Sequence, residues 1–124
     1  MPYLLALDEG TTSARAALYD SEGRRIAMEA CPIECRYPQP GWVEQAAGEI
    51  WGAQLSAAKA TLAAARVKAS EVDAIGITNQ RETTVLWDRR SGEPVAPAIV
   101  WQCRRTAPYC DALQPRETNA RPAW

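Results

Sequence analysis

Short apolar segments separated by turn-forming groups make up the beginning of the chain. Tyr3–Leu7 is a continuous apolar run, Arg15–Tyr19 is a second apolar stretch, and Arg24–Cys31 alternates in part between apolar and polar residues. Small polar residues at 8–12 and 20–23 interrupt these segments and favour tight turns. The pattern therefore predicts three strands of an antiparallel meander.

A proline-rich connection and a long amphipathic segment follow. Residues 32–45 contain three prolines and a glycine, which predicts a connection without a regular helix. From about Ala47 to Val67, apolar residues recur at spacings of three and four, as on one face of a helix. The predicted buried face consists of Trp51, Leu55, Ala58, Leu62 and Ala65, and the residues predicted to lie largely off it are Gln54, Lys59 and Arg66.

Shorter apolar segments occupy the second half. Asp73–Thr78 is predicted to be a strand, and Thr83–Trp87 is predicted to be its hairpin partner across a turn at residues 79–80. A further apolar segment lies at 99–101, and a short helix is predicted to begin near Arg104. After Leu113 no periodicity remains, so residues 114–124 are predicted to be irregular. Strands mixed with helices predict an α/β domain with a mixed sheet over residues 1–113.

Charge and composition exclude several classes of function. The chain has 124 residues, and its 14 basic and 15 acidic residues give a net charge of −1, so neither nucleic acid nor an anionic membrane is an expected partner. No apolar stretch is long enough for stable membrane insertion, and residues 1–7 lack the basic lead of a secretory signal. A cytoplasmic protein is expected. Because histidine is absent, a general base must be a carboxylate, a lysine or a tyrosine.

The four cysteines lack the close pairing of a zinc site or a redox motif. They lie at 31, 35, 103 and 110 without a C-x-x-C pair. We interpret them as small buried apolar residues rather than as metal ligands or a disulfide.

The first candidate site is the polar turn that follows the first strand. Gly10 lets the backbone approach a ligand, and successive backbone N–H groups with the hydroxyls of Thr11, Thr12 and Ser13 can surround anionic oxygens. Asp8 at the mouth of the turn is suited to Mg²⁺, which is usually bound by one or two carboxylates together with phosphates. An ordinary hairpin turn explains the same residues equally well. The common glycine-rich nucleotide motifs are absent.

Two further segments contain residues suited to a small polyol. Arg81 offers a fork of donors and Glu82 a pair of acceptors, which together can bind adjacent hydroxyls. Trp101 offers a flat apolar surface for the carbon side of such a ligand. A solvated hairpin tip and a core tryptophan remain the alternative interpretations.

The order of these segments resembles the beginning of the glycerol kinases, which belong to the FGGY family of carbohydrate kinases. The resemblance rests on ALDEGTTSARA, YPQPGWVEQ with EIW, AIGITNQRETTVLWD and IVWQCRRTA, and runs almost continuously from Tyr3 to Leu113. Within it, GITNQRET followed by WQCRRT indicates glycerol rather than a pentulose or hexulose. The implied fold is a ribonuclease H-like domain of the actin-like ATPase superfamily, incomplete here, with residues 1–113 as its N-terminal part and 114–124 as a tail that does not match.

The resemblance also implies an activity and roles for individual residues. The activity is transfer of the γ-phosphoryl group of ATP to a terminal hydroxyl of glycerol, with Mg²⁺, in a cytoplasmic enzyme that is homo-oligomeric at full length. Asp8 is expected at the Mg²⁺–phosphate end, with Arg15 near the phosphates. The residues expected to contact nucleotide phosphates are Thr11, Thr12 and Ser13, and those expected to contact glycerol are Arg81, Glu82 and Trp101.

Two departures from the family pattern lead to an alternative. Glu9 stands where the family usually has glutamine, which adds a negative charge beside the phosphate turn. The family's catalytic aspartate is expected beyond residue 124, so no catalytic residue is assigned in this chain. The alternative function is therefore an inactive fragment that binds a ligand or partner weakly.

Overall fold

A four-stranded mixed sheet with one long helix on one face forms the body of the protein. The structure is a computed structural model that describes residues 2–117, with side chains described through residue 113. The strand order is β3-β2-β1-β5, in which β1 and β5 are parallel and the other neighbours are antiparallel. The elements are β1 (Tyr3–Glu9), β2 (Ser13–Tyr19), β3 (Arg25–Pro32), β4 (Glu44–Gln45), α1 (Ala47–Ala65), a 3-10 turn (Ala69–Glu71), β5 (Val72–Asn79), β6 (Ala98–Ile99) and α2 (Ala107–Glu117).

The predicted meander and the α/β class with a mixed sheet are confirmed, but the predicted second hairpin is wrong. β5 pairs with β1, with Leu5 opposite Ile75 and Asp8 opposite Thr78. Residues 83–87 contribute no strand to the described part of the chain and form only isolated bridges, Thr84 with Ile99 and Trp87 with Pro94. Because α1 crosses from one edge of the meander to the other, it supplies the long connection that parallel strands require.

The buried face of α1 differs from the predicted one. Gln54, predicted to lie off the face, is buried with Ala53, Ala57 and Thr61, whereas Trp51 is 64% exposed. Small alanines let the helix lie close to the sheet, where its polar side chains reach backbone carbonyls of β2. Gln54 Nε2 donates to the Arg15 carbonyl at 2.9 Å, and the Thr61 hydroxyl donates to the Ala16 carbonyl at 2.9 Å. Of the predicted residues, Ala58, Leu62 and Ala65 pack against the core and Leu55 is exposed.

A small second sheet holds the segment that contains Trp101. β4 and β6 pair antiparallel, and the Val100 N–H donates to the Val43 carbonyl at 3.1 Å. Arg105 adds a side-chain anchor, since its guanidinium binds Glu44 at 2.7 Å and lies 3.8 Å from the centre of the Trp42 ring. The connection over residues 32–45 therefore positions residues 98–105 beside the first turn.

The remaining predictions are met in part. α2 begins at Ala107, three residues after the predicted start, and continues to Glu117, so residues 114–117 of the expected irregular tail are helical. The rest of that tail, 118–124, lies outside the described residues. All four cysteines are free thiols, but Cys110 is exposed and the others are only partly buried, which corrects the expectation of burial. No helix among the described residues combines the length and hydrophobicity needed to cross a membrane.

Candidate functional site

A cleft of about 400 Å³ lies where β1 and β5 end side by side. Since the two strands are parallel, the loops that follow them leave the sheet at the same edge, which is where ligands bind in α/β sheets. The turn at Asp8 and the Arg81–Glu82 segment, both predicted to bind ligands, line this cleft, and Trp101 forms a third side. The lining residues are Asp8, Glu9, Gly10, Thr11, Asn79, Gln80, Arg81, Glu82 and Trp101.

The first turn is held by a close backbone contact at Gly10. Its N–H donates to the carbonyl of Ser13 at 3.0 Å. A Cβ added to Gly10 would lie 2.9 Å from that same carbonyl oxygen, so the turn requires glycine. Ser13 begins β2, and Arg15 faces Asp8 across the strand pair, with Nε and Oδ2 3.5 Å apart and both side chains about half exposed. Thr12 and Ser13, which are predicted phosphate contacts, and Arg15, which is predicted to lie near the phosphates, do not line the cleft.

Thr11 is fixed by contacts from two other parts of the chain. Its carbonyl accepts a hydrogen bond from Gln45 Nε2 at 2.6 Å, and its hydroxyl accepts one from Trp101 Nε1 at 2.9 Å. Because the hydroxyl oxygen already accepts the indole N–H, the Thr11 proton remains available for donation to a ligand oxygen. The arrangement suits an anion at the turn.

The second wall consists of the residues that follow β5. Glu82 adopts a left-handed backbone conformation with φ of 68°. A non-glycine residue in this region costs of order 1–3 kcal/mol, and such positions cluster at functional sites. The side chains of Arg81 and Glu82 are both exposed and therefore accessible to a ligand.

Glu9 places an acidic group at the cleft in an unfavourable environment. Its Oε1 is buried and has no hydrogen-bond partner among the described residues. Burial raises the pKa of Glu9; hydrogen bonds from the Gln80 side chain and backbone oppose the rise, and the charge of Asp8 adds to it. The fold therefore disfavours the charged form of Glu9 relative to an exposed glutamate.

A single protein carboxylate at this cleft is sufficient for an Mg²⁺ site. The described residues contain no group of three or more histidine, cysteine or acidic side chains that could hold a metal ion. Mg²⁺ does not need one, since it usually keeps several waters and binds one or two carboxylates together with phosphates. Asp8 fits that role because its half-exposed carboxylate lines the cleft beside the turn.

Sequence reasoning missed the residues that tie the two walls together. Gln45, Gln80 and Thr83 form a hydrogen-bonded chain between Thr11 and Trp101. The sequence pattern predicts only a turn at Asn79 and Gln80. Neither periodicity nor a motif at Gln45 predicts its burial. The sequence feature that could have pointed to it is its position at the end of the segment YPQPGWVEQ.

Known carbohydrate kinases resemble nearly the whole chain. Residues 3–122 match the model of the N-terminal domain of the FGGY family of carbohydrate kinases, a match that extends into the segment expected to be dissimilar. The chain is 56% identical over 114 residues to the glycerol kinase of Halorhodospira halophila and 58% identical over 114 residues to that of Symbiobacterium thermophilum. These alignments cover 92% of this chain but 22% and 23% of the relatives. The chain thus spans less than a quarter of their length.

Solved structures show the same fold. The glycerol kinase of Plasmodium falciparum, crystallised with ADP, superposes with a TM-score of 0.82 and 29% identity, covering 94% of this chain and 23% of that one. A xylulose kinase from Lactobacillus acidophilus superposes with a TM-score of 0.83 at 19% identity, covering the same shares, which shows the fold alone. The fold expected from the resemblance, an incomplete domain of the actin-like ATPase superfamily, is confirmed. With a family model that matches nearly the whole chain and close relatives among kinases, this chain belongs to the FGGY family of carbohydrate kinases.

Proposed function

We propose that this chain provides the phosphate turn and part of the substrate site of a glycerol kinase. The reaction is transfer of the γ-phosphoryl group of ATP to a terminal hydroxyl of glycerol, giving sn-glycerol 3-phosphate. The observation that carries the proposal is the meeting of the Asp8 turn, the Arg81–Glu82 segment and Trp101 in one cleft. The identity of 56% and 58% to two glycerol kinases supports glycerol as the acceptor.

Glycerol is proposed to lie between the second wall and Trp101. The Arg81 guanidinium donates to one hydroxyl and the Glu82 carboxylate accepts from a neighbouring one, a pairing that suits the adjacent hydroxyls of a polyol. Trp101 packs against the carbon side, and its ring is held in place by the 2.9 Å bond from Nε1 to the Thr11 hydroxyl. An aromatic surface with a few polar groups is typical of such sites.

The nucleotide phosphates are proposed to lie at the first turn. Thr11 donates its hydroxyl proton, Thr12 and Ser13 add donors at the same turn, and Arg15 lies near the phosphates. Asp8 would hold Mg²⁺, which when bound neutralises charge on the phosphates. Phosphoryl transfer depends mainly on positioning and charge stabilisation, and these residues supply both. The carboxylate that accepts the glycerol proton is proposed to lie outside the residues of this chain.

The cellular setting follows from the same proposal. We place the enzyme in the cytoplasm, with glycerol as its small-molecule partner, no nucleic acid partner, and homo-oligomers in the full-length form. Size-exclusion chromatography of a full-length protein containing this chain measures its oligomeric state, and a monomer would contradict the proposed homo-oligomer.

The decisive experiment uses a chimera in which residues 1–113 replace the matching part of the Halorhodospira halophila glycerol kinase. Arg81→Ala removes a charge-assisted hydrogen bond of about 1.5–3 kcal/mol, so the KM for glycerol should rise roughly ten- to hundredfold. The KM for ATP should change far less. Arg89→Ala removes an exposed arginine outside the cleft and is the matched control. Equal losses for glycerol and ATP would contradict the assignment of Arg81.

A second candidate function applies to a polypeptide of only these 124 residues, namely weak binding without turnover. Ile75 and Ile77 on β5 are 56% and 75% exposed, which leaves a large apolar surface on the strand that supports the second wall. If this strand shifts, the groups of the second wall shift with it, and a misplacement of reacting groups by about an ångström can reduce rates on the order of a hundredfold. A coupled assay for ADP release with ATP, Mg²⁺ and glycerol tests this candidate. Glycerol-dependent turnover that stays with the purified polypeptide would refute it.

A further inference from the structure

A closed ring of hydrogen bonds joins the two walls of the cleft. The Thr11 carbonyl accepts from Gln45 Nε2 at 2.6 Å, and Gln45 Oε1 accepts from Gln80 Nε2 at 2.8 Å. Gln80 Oε1 accepts from the Thr83 hydroxyl at 2.9 Å, and Thr83 Oγ1 accepts from the Trp101 backbone N–H at 3.2 Å. The indole of Trp101 then donates to the Thr11 hydroxyl at 2.9 Å and completes the ring.

Gln45 is the buried member on which the ring depends. Its exposed fraction is 0%, and it lies on β4, away from the cleft lining. The Thr11 carbonyl can only accept, so it fixes the amide with Nε2 toward Thr11 and Oε1 toward Gln80. Removal of this amide would leave the Thr11 carbonyl with only the weak 4.0 Å contact of the Cys35 thiol, and it would leave Nε2 of Gln80 without its acceptor. Buried polar networks are sensitive to the loss of one member, because the low local dielectric makes an unpaired group costly.

We propose that Gln45 is a positioning residue that couples the phosphate turn to the glycerol-binding segment. The proposal rests on the function proposed above. On one side Gln45 binds the carbonyl of Thr11, whose hydroxyl is proposed above to donate to phosphate. On the other side it fixes Gln80, which directly precedes Arg81 and Glu82. Since binding at one wall favours the ring geometry that the other wall needs, nucleotide and glycerol should strengthen each other's binding by the same factor.

Three variants separate this role from simple stabilisation of the fold. Gln45→Met keeps the length of the side chain and removes both of its hydrogen bonds in the ring, together with the 3.4 Å contact from Nε2 to Cys35 Sγ. Gln45→His keeps one donor nitrogen and one acceptor nitrogen in a neutral imidazole, so it should restore the ring in part. Gln54→Met is the matched control, because Gln54 is also buried and also donates to a backbone carbonyl, that of Arg15 at 2.9 Å, but lies outside the ring.

The first measurement follows the Trp101 indole N–H in the ¹⁵N-tryptophan-labelled chain by NMR, with the Trp101 signal assigned from Trp101→Phe. Gln45→Met should shift this resonance and speed its hydrogen exchange by roughly tenfold, the change expected for loss of about 1.4 kcal/mol of protection. Gln45→His should lie between Gln45→Met and wild type. Gln54→Met should leave the signal in place. The other indole signals report whether each variant is folded. An unmoved Trp101 signal in folded Gln45→Met, or an equal change in Gln54→Met, would overturn the proposal.

The second measurement uses the chimera and compares glycerol Kd with and without a non-hydrolysable ATP analogue. In the parent chimera the analogue should tighten glycerol binding by about fivefold or more. Gln45→Met should bring this factor close to one, while Gln54→Met should retain it. If Gln45→Met binds glycerol normally and the analogue still tightens that binding as in the parent chimera, the coupling role of Gln45 is refuted and the proposed function is not. A parent chimera that binds no glycerol would refute the proposed function and the coupling with it, and the Trp101 signal would still decide whether Gln45 holds the ring.

Discussion

Replacement of Gly10 with alanine tests whether the first turn of the cleft depends on a backbone approach that only glycine permits. The added Cβ would lie 2.9 Å from the Ser13 carbonyl oxygen and 3.4 Å from Nη2 of Arg15. The nearer atom belongs to the backbone, so it cannot move aside as a flexible side chain would. The Gly10 N–H donates to this same oxygen at 3.0 Å. Relief of the overlap therefore separates the donor from its acceptor.

Two contributions determine the size of the effect. Loss of one backbone hydrogen bond decreases the free energy of unfolding by about 1 kcal/mol. Insertion of a methyl group into a filled space typically adds about 1–3 kcal/mol through backbone displacement. Gly10→Ala should therefore destabilise the chain by about 2–4 kcal/mol, a large part of the roughly 5–15 kcal/mol that stabilises a native protein. It should also weaken phosphate binding, because Thr11 follows directly.

Urea unfolding followed by tryptophan fluorescence measures the stability change, and Gly52→Ala is the matched control. Gly52 lies in α1, and a Cβ there would meet no atom within 4 Å. Alanine is preferred to glycine inside a helix by roughly 0.5–1 kcal/mol, so the control should stabilise the chain. Gly10→Ala should thus lower the free energy of unfolding, and Gly52→Ala should raise it. A Gly10→Ala variant as stable as wild type, or two variants that change in the same direction, would refute the steric reasoning.

Three further predictions address the charges and the strain of the cleft. Glu9→Gln should stabilise the chain at neutral pH, because a raised folded pKa means that stability is lost as pH rises from the ordinary value of 4.5 through the folded value. In urea unfolding the gain should vanish well below pH 4.5, and a gain independent of pH would contradict this origin. Glu82→Gly should preserve stability or raise it by up to about 1 kcal/mol, because relief of the left-handed backbone at Glu82 exceeds the entropy cost of glycine. The same variant should weaken glycerol binding in the chimera. A loss of stability together with the loss of glycerol binding would argue against strain at Glu82. Asp8→Asn in the chimera should lower turnover with little change in glycerol affinity, and unchanged turnover at limiting Mg²⁺ would exclude the metal role of Asp8.

The parts of the fold that were predictable are those set by local chemistry. The apolar run at 3–7, the polar turn after it and the next two strands read directly from residue type, and the structure places them as expected. The convergence of Arg81, Glu82 and Trp101 with Asp8 was predictable only through the family resemblance, since Trp101 and Thr11 are 90 residues apart. Their roles toward glycerol and phosphate remain predictions.

The errors have physical causes that local patterns do not contain. Apolar periodicity identifies a strand but not its partner, so it predicts that β5 pairs with residues 83–87, whereas β5 pairs with β1. The periodicity of large apolar residues predicts that Trp51 faces the core. The helix instead packs closely on the sheet through alanines and through two polar side chains that donate to backbone carbonyls of β2. No local pattern predicts the burial of Gln45, because its partners are Thr11, 34 residues away, and Gln80, 35 residues away.

The alternation of side chains along β1 explains how two adjacent carboxylates can serve one cleft. Asp8 lies opposite Arg15 and Thr78, whereas Glu9 lies opposite the buried Ala14, so the two side chains leave the strand on opposite faces. Asp8 therefore remains half exposed beside an arginine, where its charge is accessible to a cation. Glu9 points toward the face that α1 covers, where burial raises its pKa and disfavours its charge. Burial therefore disfavours the charge that the departure from glutamine adds at position 9, and a change that exposes Glu9 to solvent should lower its pKa toward the ordinary value.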